Sequence, residues 1–258
     1  DAQESRGLGD VYKRQALKPL GRSAKDFGET AYKLALGGCP LIKDDHSLFN
    51  QSYAPFKDRV KACVDSVNNA NAKTGGRSLY IANCTADSME FLERAMTAQE
   101  LGAGGIMAAP GLLGLSIIRE LSSAPDFHLP IFIHPCFSGP LVLSADSGIS
   151  PFCCYGQFSR LAGADAAIFT SFGGRFPFTE EVCRKICDGT ETEMGGLRSI
   201  FPVPSGGMKW QLFKKMVQVY GPDAIFLVGG ALLTESDDLT ANICLLYTSD
   251  AADDLTRV

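Results

Sequence analysis

The feature that most narrows the folds open to this chain is a repeat of pattern, not of residues. Short apolar runs alternate with longer stretches of helical period from Ala16 to about Leu232. The apolar runs lie at 40–43, 79–82, 105–109, 130–133, 166–169, 200–203 and 224–228, and Ala16-Leu17-Lys18-Pro19 ends another before them. The helical stretches are 24–36, 53–72, 87–102, 113–122, 152–162, 179–188 and 209–220, with one more opening at Leu232. A short run that is apolar throughout reads as a strand buried on both faces, as in a parallel sheet covered by helices. Eight strand–helix units in about 230 residues predict an α/β fold, a (β/α)8 TIM barrel. A doubly wound open sheet is the alternative, but no glycine fingerprint follows the first strand.

The polar residues sit where a barrel would gather them. Lys18 follows strand one, and Lys43, Asp45 and His46 follow strand two. Asn83 follows strand three, His134 strand five, and Arg175 lies in the loop after strand six. Ser205-Gly206-Gly207 follow strand seven, and Gly229-Gly230 follow strand eight. Strand C-termini of a barrel converge on one face, where active sites are built.

The densest of these is the segment KDDH, residues 43–46. Four ionisable groups at a strand end are costly to desolvate unless they pair or hold a metal. In extended chain Lys43 and Asp45 point the same way, so they could meet one oxygen-seeking cation, with His46 or water completing its shell. The plainer reading is a solvated charged turn. Lys18, enclosed by apolar barrel walls near a metal, would act as a general base; otherwise it is a surface lysine. His134 ends the apolar strand PIFIHP and reads as an acid, a phosphate ligand or a hydrogen-bonded core histidine. Arg175, among glycines, suits an anion clamp or is a solvated loop arginine. The paired glycines, each before a helix, let backbone N–H groups approach a phosphate.

Composition sets outer limits. The 258 residues are 45% hydrophobic with a net charge of −5, and no basic stripe with interleaved aromatics suggests nucleic acid. No apolar run is long enough for a membrane span, and no secretory signal opens the chain. The nine cysteines are scattered, which fits reduced thiols in a cytoplasmic protein. Cys183 and Cys187 share a helix face, but no matching pair completes a zinc site. Residues 1–15 and 245–258 carry neither period nor apolar face and resemble adapter read-through at the ends of assembled fragments. The expected organisation is therefore a truncated barrel over 16–244 between two foreign tails.

Several motifs together resemble the large-chain family of RuBisCO: Lys18-Pro19, GGCPLIKDDH (37–46), IHP (133–135), GADAAIF (163–169), PVPSGGM (202–208) and LVGGALL (227–233). The likeness is greatest to the RuBisCO-like proteins (form IV), and it covers about 16–244. It implies the C-terminal barrel domain, without the family's N-terminal ferredoxin-like domain through which members form homodimers. It implies Lys18 as the enolising base and Lys43 as the carbamylated lysine. Asp45 and, at the next position, His46 would be magnesium ligands, and His134 the strand-five histidine. Ser205, Gly206, Gly207, Gly229 and Gly230 would hold phosphate, with Arg175 in the mobile loop.

The chain departs from carboxylating members. It has KDDH for KDDE, Pro135 in place of an arginine, Phe169 in place of a histidine, and Arg175 where the loop lysine stands. The second lysine after KP is missing. These departures argue against carbon dioxide fixation. They leave Mg2+-dependent enolisation of a phosphorylated ketose, of the 5-methylthioribulose-1-phosphate isomerase or enolase type. The alternatives are a decarboxylase or transcarboxylase-hydrolase acting on a 3-oxo-isoapionate-4-phosphate-like sugar acid, and a non-catalytic sugar-phosphate-binding barrel. Without the N-terminal domain, the fragment itself is expected to be inactive.

Overall fold

The structure is a computed structural model and describes residues 13–144, 146–174, 176–206, 213–221, 223–227, 238–241 and 243. Its strands are β1 (Lys13–Ala16), β2 (Leu41–Lys43), β3 (Leu79–Asn83), β4 (Gly105–Ala108), β5 (Ile131–Ile133), β6 (Ala166–Thr170), β7 (Phe201–Ser205) and β8 (Phe226–Leu227). They form one eight-stranded sheet in the order β7-β6-β5-β4-β3-β2-β1-β8. Every strand pair is parallel. On the far side of β8, the Ile225 N–H donates to the Pro202 carbonyl of β7 at 3.0 Å.

Helices cover the outer face. They are α1 (Ala24–Leu36), α2 (Phe56–Thr74), α3 (Ser88–Glu100), α4 (Pro110–Leu113), α5 (Leu115–Ser122), α6 (Gly139–Val142), α7 (Phe158–Leu161), α8 (Glu180–Glu191) and α9 (Phe213–Tyr220). A capping box between Ser23 and Asp26 starts α1, satisfying end N–H groups that have no partner within the helix. Gly75, with φ of 74°, ends α2. Its backbone is left-handed, which glycine adopts without a Cβ penalty.

The side chains of the sheet divide by parity, as the two-residue strand period requires. Leu41, Ile81, Met107, Phe132, Ala166, Ile168, Val203, Ile225 and Leu227 pack against one another on the inner face. Ile42, Tyr80, Ala82, Ile106, Ile131, Ile133 and Phe169 join the larger core between sheet and helices. A layer apolar on both faces is what the uninterrupted apolar runs predicted.

Three details differ from the sequence expectation. The first strand reaches back through Lys13, Arg14 and Gln15, residues assigned to the tail. The helix expected over 113–122 is broken at Gly114, whose φ is 83°. The one expected over 152–162 begins as a π-helical stretch, Phe152–Gln157, before α7. That stretch meets α8 backbone to backbone, since a Cβ on Gly156 would lie 2.5 Å from the Gly189 carbonyl carbon. Eight of the cysteines are described, all as free thiols, with Cys39, Cys63, Cys84 and Cys183 buried. Among the described residues, no helix is long and apolar enough to cross a membrane.

Candidate active site

Parity also places the chemistry. Leu41 faces the inner core, so Lys43 and Asp45, two and four residues on, turn toward the mouth above it. Both line a cleft of about 710 Å³ at the C-terminal ends of the strands. Lys18, His46, His134, Ser205 and Gly206 line the same cleft. Seven residues singled out from sequence, scattered from position 18 to 206, thus share one space. Arg175, Gly207, Gly229 and Gly230 lie outside the described residues.

Asp45 is the one carboxylate among the described lining residues. Its Oδ2 pairs with Lys18 Nζ at 3.1 Å. Its Oδ1 accepts the Ser47 N–H at 3.0 Å and lies 3.5 Å from His46 Nδ1. Burial pushes the Asp45 carboxyl up, but the Ser47 N–H, His46 and Lys18 together outweigh it and hold it below the usual range. Lys43 is 2% exposed, and its Nζ donates to the Asp44 carbonyl at 2.6 Å. The apolar enclosure expected around Lys18 is absent among the described residues, where its side chain is 44% exposed. β1 ends at Ala16, two residues earlier, so Lys18 stands at the rim.

Asp44 points the other way, into the layer between sheet and helices, and is fully buried. Its carboxylate accepts the Tyr80 hydroxyl at 2.6 Å, the Asn83 N–H at 2.9 Å and Arg59 Nε at 3.2 Å. Arg59, from α2, also donates to the carbonyls of Ala54 and Phe49. Burial would lower the Arg59 pKa and raise that of Tyr80; the Asp44 charge keeps Arg59 firmly protonated and pushes Tyr80 further up. Asn83 Nδ2 donates to the His46 carbonyl at 3.0 Å, bracing the chain beside Asp45. Sequence reasoning missed this clamp. Its one signal is that Arg59 falls on the apolar stripe of α2 with Phe56, Val60, Cys63 and Val67, all buried.

The strand-five loop supplies His134, whose Nδ1 accepts the Cys136 N–H at 3.1 Å. Its ring stacks on that of His46, with centroids 4.5 Å apart and planes 9° from parallel. Beyond it Ser138 Oγ donates to the Pro135 carbonyl and is hydrogen-bonded to Tyr155 Oη at 2.9 Å. Phe137 has a φ of 67°, a left-handed conformation uncommon outside glycine. Phe137, Val142, Leu143, Phe176 and Phe178 give the same cleft an apolar share of its lining. On the strand-seven side, Gly206 has a φ of 90°, and a Cβ there would lie 3.1 Å from the Phe176 ring. The Ser205 hydroxyl donates to the Phe169 carbonyl at 2.9 Å.

A magnesium ion takes oxygen ligands and is commonly held by one or two carboxylates, with water and substrate oxygens. Among the described residues, no group of three His, Cys, Asp or Glu side chains is placed to hold a metal. Asp45 offers one oxygen donor, and Lys43 offers a second only as a carbamate. In that form the donor set fits.

The profile of the family described as ribulose bisphosphate carboxylase large chain, catalytic domain, matches residues 14–241. The chain is 35% identical over 240 residues to the 5-methylthioribulose-1-phosphate isomerase of Rhodospirillum rubrum, covering 92% of this chain and 61% of that protein. It is 34% identical over 227 residues to the 2,3-diketo-5-methylthiopentyl-1-phosphate enolase of Geobacillus thermodenitrificans, covering 86% of this chain and 55% of that protein. A RuBisCO-like protein from Alicyclobacillus acidocaldarius superposes with a TM-score of 0.87 at 29% identity, over 98% of this chain and 63% of that one. The chain therefore spans about three-fifths of the length of the curated relatives it matches. With this profile match and these relatives, the chain belongs to the RuBisCO large-chain family, among its RuBisCO-like proteins.

Proposed function

We propose that this chain carries the barrel part of an Mg2+-dependent enolising enzyme acting on a phosphorylated ketose with an apolar methylthio end, and that it does not fix carbon dioxide. The observation that carries this reading is the mixed lining of the cleft. Lys18, Lys43 and Asp45 share their cleft with the apolar side chains of Phe137, Val142, Leu143, Phe176 and Phe178. A sugar acid would bring its carboxylate among those side chains at a desolvation cost, whereas a thioether is at home there. The names of the Rhodospirillum and Geobacillus relatives both specify methylthio phosphate substrates.

In this reading, the (β/α)8 barrel closes between β7 and β8, and the Ser205–Gly207 and Gly229–Gly230 turns hold the phosphate with Arg175. Lys18 removes the proton beside the ketone. Asp45 and, as a carbamate, Lys43 are the residues that would hold the metal beside it. When bound, magnesium would polarise the ketone and its neighbouring hydroxyl. His134 donates or accepts a proton on the opposite side, and the apolar side chains keep water from the reacting carbon. Activity needs the remaining length found in the relatives, which would also supply the dimer contact. The reduced cysteines suit the cytoplasm.

The test uses the complete protein containing this chain, supplied with Mg2+ and bicarbonate. It is offered 5-methylthioribulose 1-phosphate, 2,3-diketo-5-methylthiopentyl 1-phosphate, 3-oxo-isoapionate 4-phosphate and ribulose 1,5-bisphosphate in turn, followed by NMR. Consumption of a methylthio substrate alone is expected. Faster consumption of the sugar acid would replace this reading with the decarboxylase or hydrolase. Phosphate-dependent binding without turnover would leave a binding barrel.

A further inference from the structure

The stacked histidines are not explained by the roles the family resemblance gives them. His46 stands where carboxylating members place a metal-binding carboxylate, and yet its ring lies flat against His134. The two residues follow β2 and β5, which are separated by two strands in the sheet. Their meeting is a product of the tertiary fold.

Each residue is anchored from its own side. The His46 carbonyl accepts Asn83 Nδ2 from β3 at 3.0 Å. His134 accepts the Cys136 N–H along one ring edge at 3.1 Å, and its backbone N–H donates to the Ala108 carbonyl of β4 at 2.8 Å. A parallel neighbour at 4.5 Å restricts the tilt of the ring about that edge contact. Asp45 Oδ1 lies 3.5 Å from His46 Nδ1 and already accepts the Ser47 N–H. Magnesium favours oxygen donors, while imidazole suits softer metals.

We propose that His46 is a positioning residue: it holds the His134 ring by stacking and is not a ligand of the metal. This rests on the reading of the cleft given above, in which His134 meets substrate. A planar side chain without a ligating atom then replaces His46, whereas a small one does not.

The experiment compares His46→Phe and His46→Ala in the complete protein. The sequence holds three histidines, so the imidazole signals of a histidine-labelled sample can be assigned by single substitution. Three readouts follow: the His134 ring signals in metal-free protein, Mn2+ affinity by electron paramagnetic resonance without substrate, and kcat against KM. In His46→Ala, the His134 signals move and kcat falls by about 10²-fold, the order expected for a misplaced group, while KM changes less. In His46→Phe, the ring signals keep their stacked character and kcat is largely rescued. Mn2+ affinity stays the same in both variants. A weaker Mn2+ affinity in His46→Phe, or unmoved His134 signals in His46→Ala, would overturn the proposal. The ring signals and Mn2+ binding are read without turnover. If no substrate is consumed, the reading of function fails while the stacking claim is still decided.

Discussion

Asp44 and Asp45 are neighbours in the chain, nearly equal in burial, and turned to opposite sides of one strand end. Asp44 accepts hydrogen bonds from Tyr80, Arg59 and the Asn83 backbone, all groups of the fold. Asp45 accepts one backbone N–H, and its other oxygen meets a lysine that is 44% exposed at the cleft rim. The first carboxylate is fully occupied in holding β2, β3 and α2 together. The second can be drawn away by exchanging one solvent-accessible partner. The two-residue period of a strand is enough to turn consecutive aspartates to opposite sides, one into the fold and one into the cleft.

The largest effect that would break this comparison is on folding. Asp44→Ala leaves the Arg59 guanidinium buried without its counter-ion, at a cost of about 3–5 kcal/mol. Urea denaturation should show that loss, and Asp45→Asn should show far less. Equal losses would mean that the two aspartates do the same work. On activity the order reverses. Asp45→Asn should lower turnover of a methylthio substrate by about 10²-fold or more while the protein stays folded.

Acid sharpens the same contrast. The Asp45 carboxyl is held below its unfolded value, so its stabilising contribution is full above about pH 4. The contribution is lost as pH falls through the lower folded value. Metal-free denaturation curves between pH 7 and pH 3 should therefore flatten on their acid side in Asp45→Asn (the pH limits bracket roughly the carboxylate range). An unchanged slope would contradict the assignment.

Smaller effects follow further from β2. Gly206→Ala places a side chain at a φ of 90° and against the Phe176 ring. It should raise KM for the phosphorylated substrate through strain of about 1–2 kcal/mol. Ser23→Ala removes the α1 cap at a cost of about 1 kcal/mol and should leave kcat and KM unchanged, as a control remote from the cleft.

Much of this was legible in the sequence because it rests on local period. The apolar runs and the helical periods between them gave the order of strands and helices, and the residues after each strand gave the cleft. Lys43 and Asp45 were placed together by strand parity alone. The Asp44 clamp was not legible, because Tyr80 Oη meets it from 36 residues away and Arg59 reaches it from a helix. The histidine stack was hidden for the same reason, since only the curvature of the sheet brings the ends of β2 and β5 within ring contact. The π-helical turn depends on glycine meeting glycine between two elements, which no single stretch reveals. The exposure of Lys18 depends on β1 ending at Ala16, a boundary that the apolar pattern placed later.

The most direct test of the account is solvent deuterium wash-in. The complete protein, with Mg2+ and 5-methylthioribulose 1-phosphate in D₂O, should place deuterium on the carbon beside the ketone. Lys18→Met should lower that rate by about 10²–10⁴-fold, the contribution usual for a general base, while phosphate-dependent binding persists. Deuterium incorporation at an undiminished rate in Lys18→Met would contradict the assignment of Lys18, and with it the mechanism built on this cleft.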